Sequence, residues 1–231
     1  MNKWIVCLKH GDKYNSDYVN KLYNMTKRHC TLPFNFACIT ENSIGINSDV
    51  HIIPTPKAKI SGWWYKPWVF SKDIPIDGTL LFLDLDLVIV KNIDNLWTYN
   101  PNSFCIIRDF NRKHINGFNK FNSSVFRLEK GSLHHVWENF ARDWRQANQM
   151  HGDQDWIFRQ IKHNFNYWPD EWIQSYKWEI RNRTDLILNN NKRIFREIAN
   201  PTIMNETSIL VFHGDPKPED VQDPIIVDNW K

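Results

Sequence analysis

The 231-residue sequence predicts an α/β fold with a mostly parallel central sheet flanked by helices. Three observations lead there. Short apolar runs alternate with amphipathic stretches through the first hundred residues, the pattern of β-α-β units. A hydrophobic fraction of 42% supplies a core, and nothing in the composition points to disorder. No repeat or linker interrupts the chain, so residues 1–231 read as one domain.

The elements follow in order. WIVCL (4–8) is a short apolar strand. Ser16 reads as a helix N-cap, and Val19, Leu22, Tyr23 and Met25 recur at helical spacing up to Arg28. FNFACIT (34–40) and VHII (50–53) are strands, the second stopped by Pro54 and Pro56. WWYKPWVFS, after Gly62, predicts a short helix with Pro67 in its first turn. LLFLDLDLVIV (80–90) reads as one buried strand, and SFCIIR (103–108) and SSVFRL (123–128) as two more. In residues 131–144, Leu133, Val136, Trp137, Phe140 and Trp144 share a helical face. GDQDWIFRQIKH (152–163) predicts a helix with acidic residues suited to its N-terminal dipole. SILVFHG (208–214) is a late strand, and the polar, Asn-rich residues 180–206 between read as an irregular excursion.

The net charge of +3 is small and its basic residues are scattered, which excludes a duplex nucleic-acid footprint. No apolar run approaches the ~18–20 residues that span a bilayer, and the N-terminus lacks a leader pattern. The expectation is a cytoplasmic protein. Cys7, Cys30, Cys38 and Cys105 form no CxxC pair, which argues against zinc. The sequons at Asn24, Asn182 and Asn205 read as chance in an Asn-rich chain. Most of the 12 Trp belong to the core, although an aromatic face can also stack on a sugar or a base.

Asp84 and Asp86 interrupt the 80–90 run. Two apart on a strand, they would share a face, where two partly desolvated carboxylates repel. A divalent cation resolves that conflict, and Mg2+ or Mn2+ is typically held by one or two carboxylates plus substrate phosphates. The plainer alternative is that both aspartates begin a turn, against which LLFL argues as a central strand. His213, after the late strand, is a candidate third ligand as a neutral imidazole. Gly214 admits close backbone approach and Lys217 offers a cation for phosphate. Asn122 and Ser123 stand at a strand mouth, and Asp153 and Gln154 open a helix, where capping is the ordinary role.

Taken in order, KPWVFS (66–71), FLDLDLVIVKNIDNLW (82–97), FNSSVFRLEKGS (121–132), GDQDWIF (152–158) and HGDPKP (213–218) resemble the glycogenin-like, family-8 type of retaining glycosyltransferase. The resemblance covers about residues 1–170 and 208–218. It implies the GT-A, nucleotide-diphospho-sugar transferase fold, with residues 1–100 as a nucleotide-binding half and 101–231 as a sugar and acceptor half. It implies a Mn2+ (or Mg2+) cofactor on Asp84, Asp86 and His213. A UDP-sugar donor would be held by Leu8, Lys9, Tyr14, Lys66, Leu85, Gly214 and Lys217, with Tyr14 stacked on the base. Asp109, Asn122 and Ser123 match positions that bind the donor sugar. Asp153 and Gln154 match the catalytic pair beside the anomeric carbon, and the acceptor would be a glycan or another hydroxyl. The sequence departs from the family in three places. His213 adjoins Gly214 and Glu219 replaces a Trp after the KP pair; Asp155 follows the DQ pair where Gly is common; and FNSS carries Ser124 for Gly. Two rival readings remain: a haloacid-dehalogenase-like phosphatase with Asp84 as nucleophile, and a non-catalytic nucleotide-sugar or glycan-binding protein.

Overall fold

The computed structural model describes residues 2–58, 60–162, 164–187, 193–198 and 203–231. The first half runs β1 (Lys3–Lys9), α1 (Ser16–His29), β2 (Asn35–Thr40), β3 (His51–Ile53), a 3-10 segment Gly62–Phe70, β4 (Thr79–Leu83), β5 (Leu87–Ile89) and α2 (Asn95–Thr98). The second runs β6 (Cys105–Arg108), β7 (Phe121–Glu129), α3 (His135–Arg142), α4 (Trp144–Ala147), α5 (Asp153–Ile161), β8 (Asn166–Tyr167), β9 (Ile173–Ser175), β10 (Thr184–Ile187), β11 (Arg193–Arg196), β12 (Ile209–Val211) and α6 (Pro224–Asn229).

The central sheet has seven strands in the order β3-β2-β1-β4-β7-β6-β8. All its pairings are parallel except those of β7, which runs antiparallel to both neighbours. Both faces are covered, which explains the unbroken apolar runs. Ile5 and Cys7 of β1, with Leu81 and Leu83 of β4, pack into one core with α1. Val6, Leu8, Leu80 and Phe82 point into the other, with α3, α5 and the 3-10 segment. Gly78, just before β4, adopts φ +107, and a Cβ there would collide with the Asn2 carbonyl oxygen.

The 80–90 run is not one strand. It breaks at Asp84–Asp86, and β5 leaves the central sheet for a three-stranded one, β5-β12-β9. The two aspartates therefore lie in a turn between sheets rather than on one strand face. Their carboxylates find separate partners, Asp84 on Lys66 and Asp86 on Lys217.

Smaller departures have local causes. Asn15, not Ser16, caps α1, its side chain accepting from the Asp17 N–H. Pro67 lies in mid-segment of Gly62–Phe70 rather than at its start. The 131–144 helix ends at Arg142 because Asp143 leaves helical geometry (φ −142, ψ 64) and caps α4, so Trp144 turns outward at 41% exposure. Within 180–206, β10 and β11 form an antiparallel hairpin instead of irregular chain, while residues 188–192 and 199–202 of that stretch lie outside the described residues. No helix among the described residues is long and apolar enough to cross a membrane.

Two polar devices fix the loops. Arg127 of β7, 1% exposed, donates to the carbonyls of Leu96, Trp97, Asn100 and Ser103. Asp94 accepts from the Thr31 N–H at 2.9 Å, from the Thr31 hydroxyl and from Asn92, tying the loop before β2 to α2. Burial would raise the Asp94 carboxyl, but these hydrogen bonds outweigh it and hold it at about 2, below its ordinary 3.8. A depressed folded value means the contribution is present above the ordinary value and lost as pH falls toward 2. Asp94→Ala is expected to cost about 1 kcal/mol at pH 7, the net worth of such bonds near solvent. In urea melts that deficit should shrink between pH 4 and pH 2; an equal deficit at both would show that the carboxylate's charge is not what matters.

Candidate active site

Parallel α/β sheets bind ligands at the carboxyl ends of their strands. Here that edge is formed by the ends of β1 and β4, and the antiparallel β7 brings its first residues to the same place. A cavity of 330 Å3 opens there, lined by Leu8, His10, Lys13, Tyr14, Gly62, Trp63, Lys66, Asp84, Leu85, Asp86, Ser123, Ser124, Asp153 and Gln154. A hollow of 510 Å3 lies at the opposite strand ends, lined by Trp4, Lys27, Asn35 and His51, and contains none of these carboxylates.

Lys66 joins the chemistry at one end. Its Nζ lies 2.9 Å from Asp84 Oδ1, 3.1 Å from Asp84 Oδ2 and 3.3 Å from Asp153 Oδ2, and it is almost wholly buried. Burial alone would lower the Lys66 pKa; Asp153 and Asp84 outweigh it and hold the ammonium above its ordinary value. Asp84 is pulled both ways: burial, Asp86 and Asp153 raise it and Lys66 lowers it, with burial prevailing. The hydroxyl of Ser123 donates to Asp153 Oδ2 at 2.8 Å. Asp153 Oδ1 has no hydrogen-bond partner among the described residues.

At the other end, Asp86 Oδ2 accepts from Lys217 Nζ at 2.6 Å and from the Tyr14 hydroxyl at 2.8 Å. Burial, then Asp86, push the Tyr14 phenol well above its ordinary range, so it stays a donor. Its ring lies 4.7 Å from that of Tyr18, with Lys13 and Lys217 near its face.

The other expected residues stand as follows. Gln154 donates to Asp109 Oδ2 at 2.8 Å, placing Asp109 behind the cavity wall. Asn122 accepts from the Ser124 N–H and so shapes the strand mouth. Lys9 is buried at the end of β1 and does not line the cavity. Gly214 adopts φ +67, and a Cβ there would stand 3.0 Å from Lys177 Nζ. The His213 Nε2 pairs with the Ser175 hydroxyl at 2.7 Å, and its ring stacks on Phe110. Burial, with Lys177 adding, pushes His213 down to about 3, so the imidazole is neutral.

A metal can be tested against this donor set. Asp84 and Asp86 are hard oxygen donors, and Asp86 Oδ1 accepts no hydrogen bond among the described residues. The Lys217 ammonium at 2.6 Å stands in for a cation at that carboxylate. The pair fits Mn2+ or Mg2+ completed by diphosphate or water oxygens. The three-ligand set with His213 is not assembled: among the described residues no group of three His, Cys, Asp or Glu side chains is disposed to hold a metal ion.

His10, Lys13 and Trp63 line the cavity without having been singled out by the sequence reading. His10 and Lys13 sit in the loop directly after β1, whose carboxyl end is the signal that could have found them. Trp63 was hidden within an aromatic-rich run.

No family model matches the chain, and no curated protein does. Solved structures do. The galactosyltransferase LgtC in complex with donor and acceptor sugar analogs aligns at TM-score 0.65 and 15% identity, over 93% of this chain and 88% of that one. The glycosyltransferase GlyE of Streptococcus pneumoniae TIGR4 aligns at 0.67 and 13%, over 99% of this chain and 62% of that one. The bifunctional glycosyltransferase WbbM aligns at 0.63 and 14%, over 99% of this chain and 49% of that one. The fold is thus the GT-A type found in glycosyltransferases.

Proposed function

We propose that the chain is a metal-dependent glycosyltransferase that moves a hexose from a UDP-sugar to an acceptor hydroxyl, with retention. Fold alone does not assign chemistry. What carries the reading is the gathering of Asp84, Asp86, Asp153, Gln154, Lys66 and Ser123 around one cavity at the strand ends.

Held by Asp84 and Asp86, Mn2+ or Mg2+ would neutralise charge on the leaving diphosphate as a Lewis acid. Lys217 brings a further positive charge to the same carboxylate, favouring the diphosphate as it departs. Tyr14 orients Asp86 by its hydroxyl bond. Lys66 and Ser123 both hold Asp153 Oδ2, which directs the unpartnered Oδ1 to a substrate. That negative oxygen favours the oxocarbenium-like anomeric carbon. In the net reaction the bond from this carbon to the diphosphate oxygen breaks, its electron pair leaving with UDP. A bond to the acceptor oxygen forms, and the hydroxyl proton passes to the departing diphosphate or to solvent.

Calorimetric titration of UDP tests the reading. Binding in Mn2+ is expected to weaken by about 100-fold in EDTA and in Asp86→Asn, the scale of breaking a close charge contact. UDP affinity that ignores both changes, or no UDP binding at all, would sink it.

A further inference from the structure

We infer that Trp63 is an acceptor platform, an exposed indole against which a pyranose ring of a glycan acceptor stacks; the inference rests on the transferase reading above. Trp63 is 51% exposed, although it lies in an aromatic segment whose other rings are engaged. Trp64 stacks on Phe140 at 5.8 Å and Tyr65 tilts against His10 at 6.1 Å. Trp63 makes no ring contact among the described residues. A single exposed aromatic is ordinary on a protein surface. This one lines the same cavity as Asp84 and Asp153.

Its position within the cavity is specific. A Cβ on Gly152 would stand 3.6 Å from the indole Nε1, so the edge of Trp63 abuts the residue just before Asp153 and Gln154. Gly152 is extended (φ 178), a conformation any residue adopts. A Cβ there would make only an ordinary contact with the indole, so the distance marks how near Trp63 lies to the start of α5. Tyr14, Asp86 and Lys217 form the opposite, diphosphate-directed end. An attacking hydroxyl has to reach the Asp153 end, and the exposed wall there is Trp63. The C–H face of a pyranose is apolar and matches an indole face, while the ring's hydroxyls stay in water. A serine or threonine hydroxyl on a flexible peptide has no equivalent face, so among aliphatic hydroxyls the geometry favours a glycan.

The test uses the full chain with Trp63→Ala and Trp63→Phe. Acceptor-dependent UDP release is measured from UDP-glucose and UDP-galactose, with methyl α- and β-glycosides as probes and a Ser/Thr peptide without aromatic residues as contrast. Trp63→Ala is expected to raise the glycoside KM by about ten-fold with kcat within about two-fold, and Trp63→Phe to recover most of the loss. Calorimetric UDP affinity should be the same in all three proteins. In 15N-Trp-labelled protein with UDP and Mg2+, the indole resonance missing from Trp63→Phe should shift on adding glycoside. An unchanged glycoside KM in Trp63→Ala overturns the inference. So does an equal fall in UDP affinity, which would place the indole on the donor, or a peptide that outperforms every glycoside. UDP binding with an unmoved KM rejects the platform alone; no UDP binding in the unmutated chain rejects the transferase reading with it.

Discussion

Asp153→Asn is expected to lower kcat for sugar transfer by about 10²- to 10³-fold while UDP affinity stays within about two-fold. The substitution keeps the shape of the side chain and removes its charge. A carboxylate about 4 Å from a developing cation is worth about 4 kcal/mol at an effective dielectric near 20, which is about a thousand-fold in rate. Partial solvent access to the cavity makes that figure an upper bound. The selective loss of kcat follows from placement. Asp153 shares Lys66 with Asp84, whereas Asp86, Tyr14 and Lys217 form a separate cluster. Single-turnover transfer beside calorimetric UDP binding checks this. An unchanged kcat would remove Asp153 from the chemistry, and a parallel collapse of UDP binding would make it part of the nucleotide site.

The second large effect concerns stability. Arg127→Met is expected to cost about 3 kcal/mol, the lower end of the range for breaking a buried charged network. Arg127 Nη1 donates to the Leu96 carbonyl at 2.6 Å and the Trp97 carbonyl at 3.0 Å, and Nη2 to the Asn100 carbonyl at 2.6 Å. Burial lowers its pKa. Some of these carbonyls close the last turn of α2, where a cation suits the dipole. Methionine fills the volume but leaves the acceptors dry. For a chain of this length the loss corresponds to a fall in Tm of about 6–12 °C. A fall under about 2 °C would mean that water replaces the guanidinium and that the network is not structural.

Periodicity made the central sheet legible. Runs such as WIVCL and FNFACIT are apolar on both sides because both faces of the sheet are covered. What periodicity could not show is where a run changes partners. The residues on either side of Asp84–Asp86 are equally apolar, so LLFLDLDLVIV reads as one strand. The break is decided by β5 pairing with β12, Ile89 opposite Ile209. The same blindness hid the charge balance. The sequence pointed to a divalent cation beside the two carboxylates but not to the ammonium groups of Lys66 and Lys217, which reach them through contacts distant in sequence. The site blocks were legible as an ordered set, because Lys66, the aspartate pair, Ser123, Asp153 and Lys217 each sit in a recognisable run. The Lys66–Asp153 contact between two of those runs left no trace in either. Trp144 was misplaced for a purely local reason, the turn at Asp143.

The passage of the chain between two sheets at Asp84–Asp86 has a kinetic consequence. The partners of Asp86 lie 72 residues away at Tyr14 and 131 away at Lys217. Contacts spanning such lengths close slowly, because the loop entropy is lost before the contact rewards it. The β1–β4 half can therefore assemble well before Asp86 acquires its ammonium. Until β12 docks beside β5, one carboxylate of the pair stands without its ammonium partner, so this corner of the molecule is expected to acquire its native charge balance late in refolding.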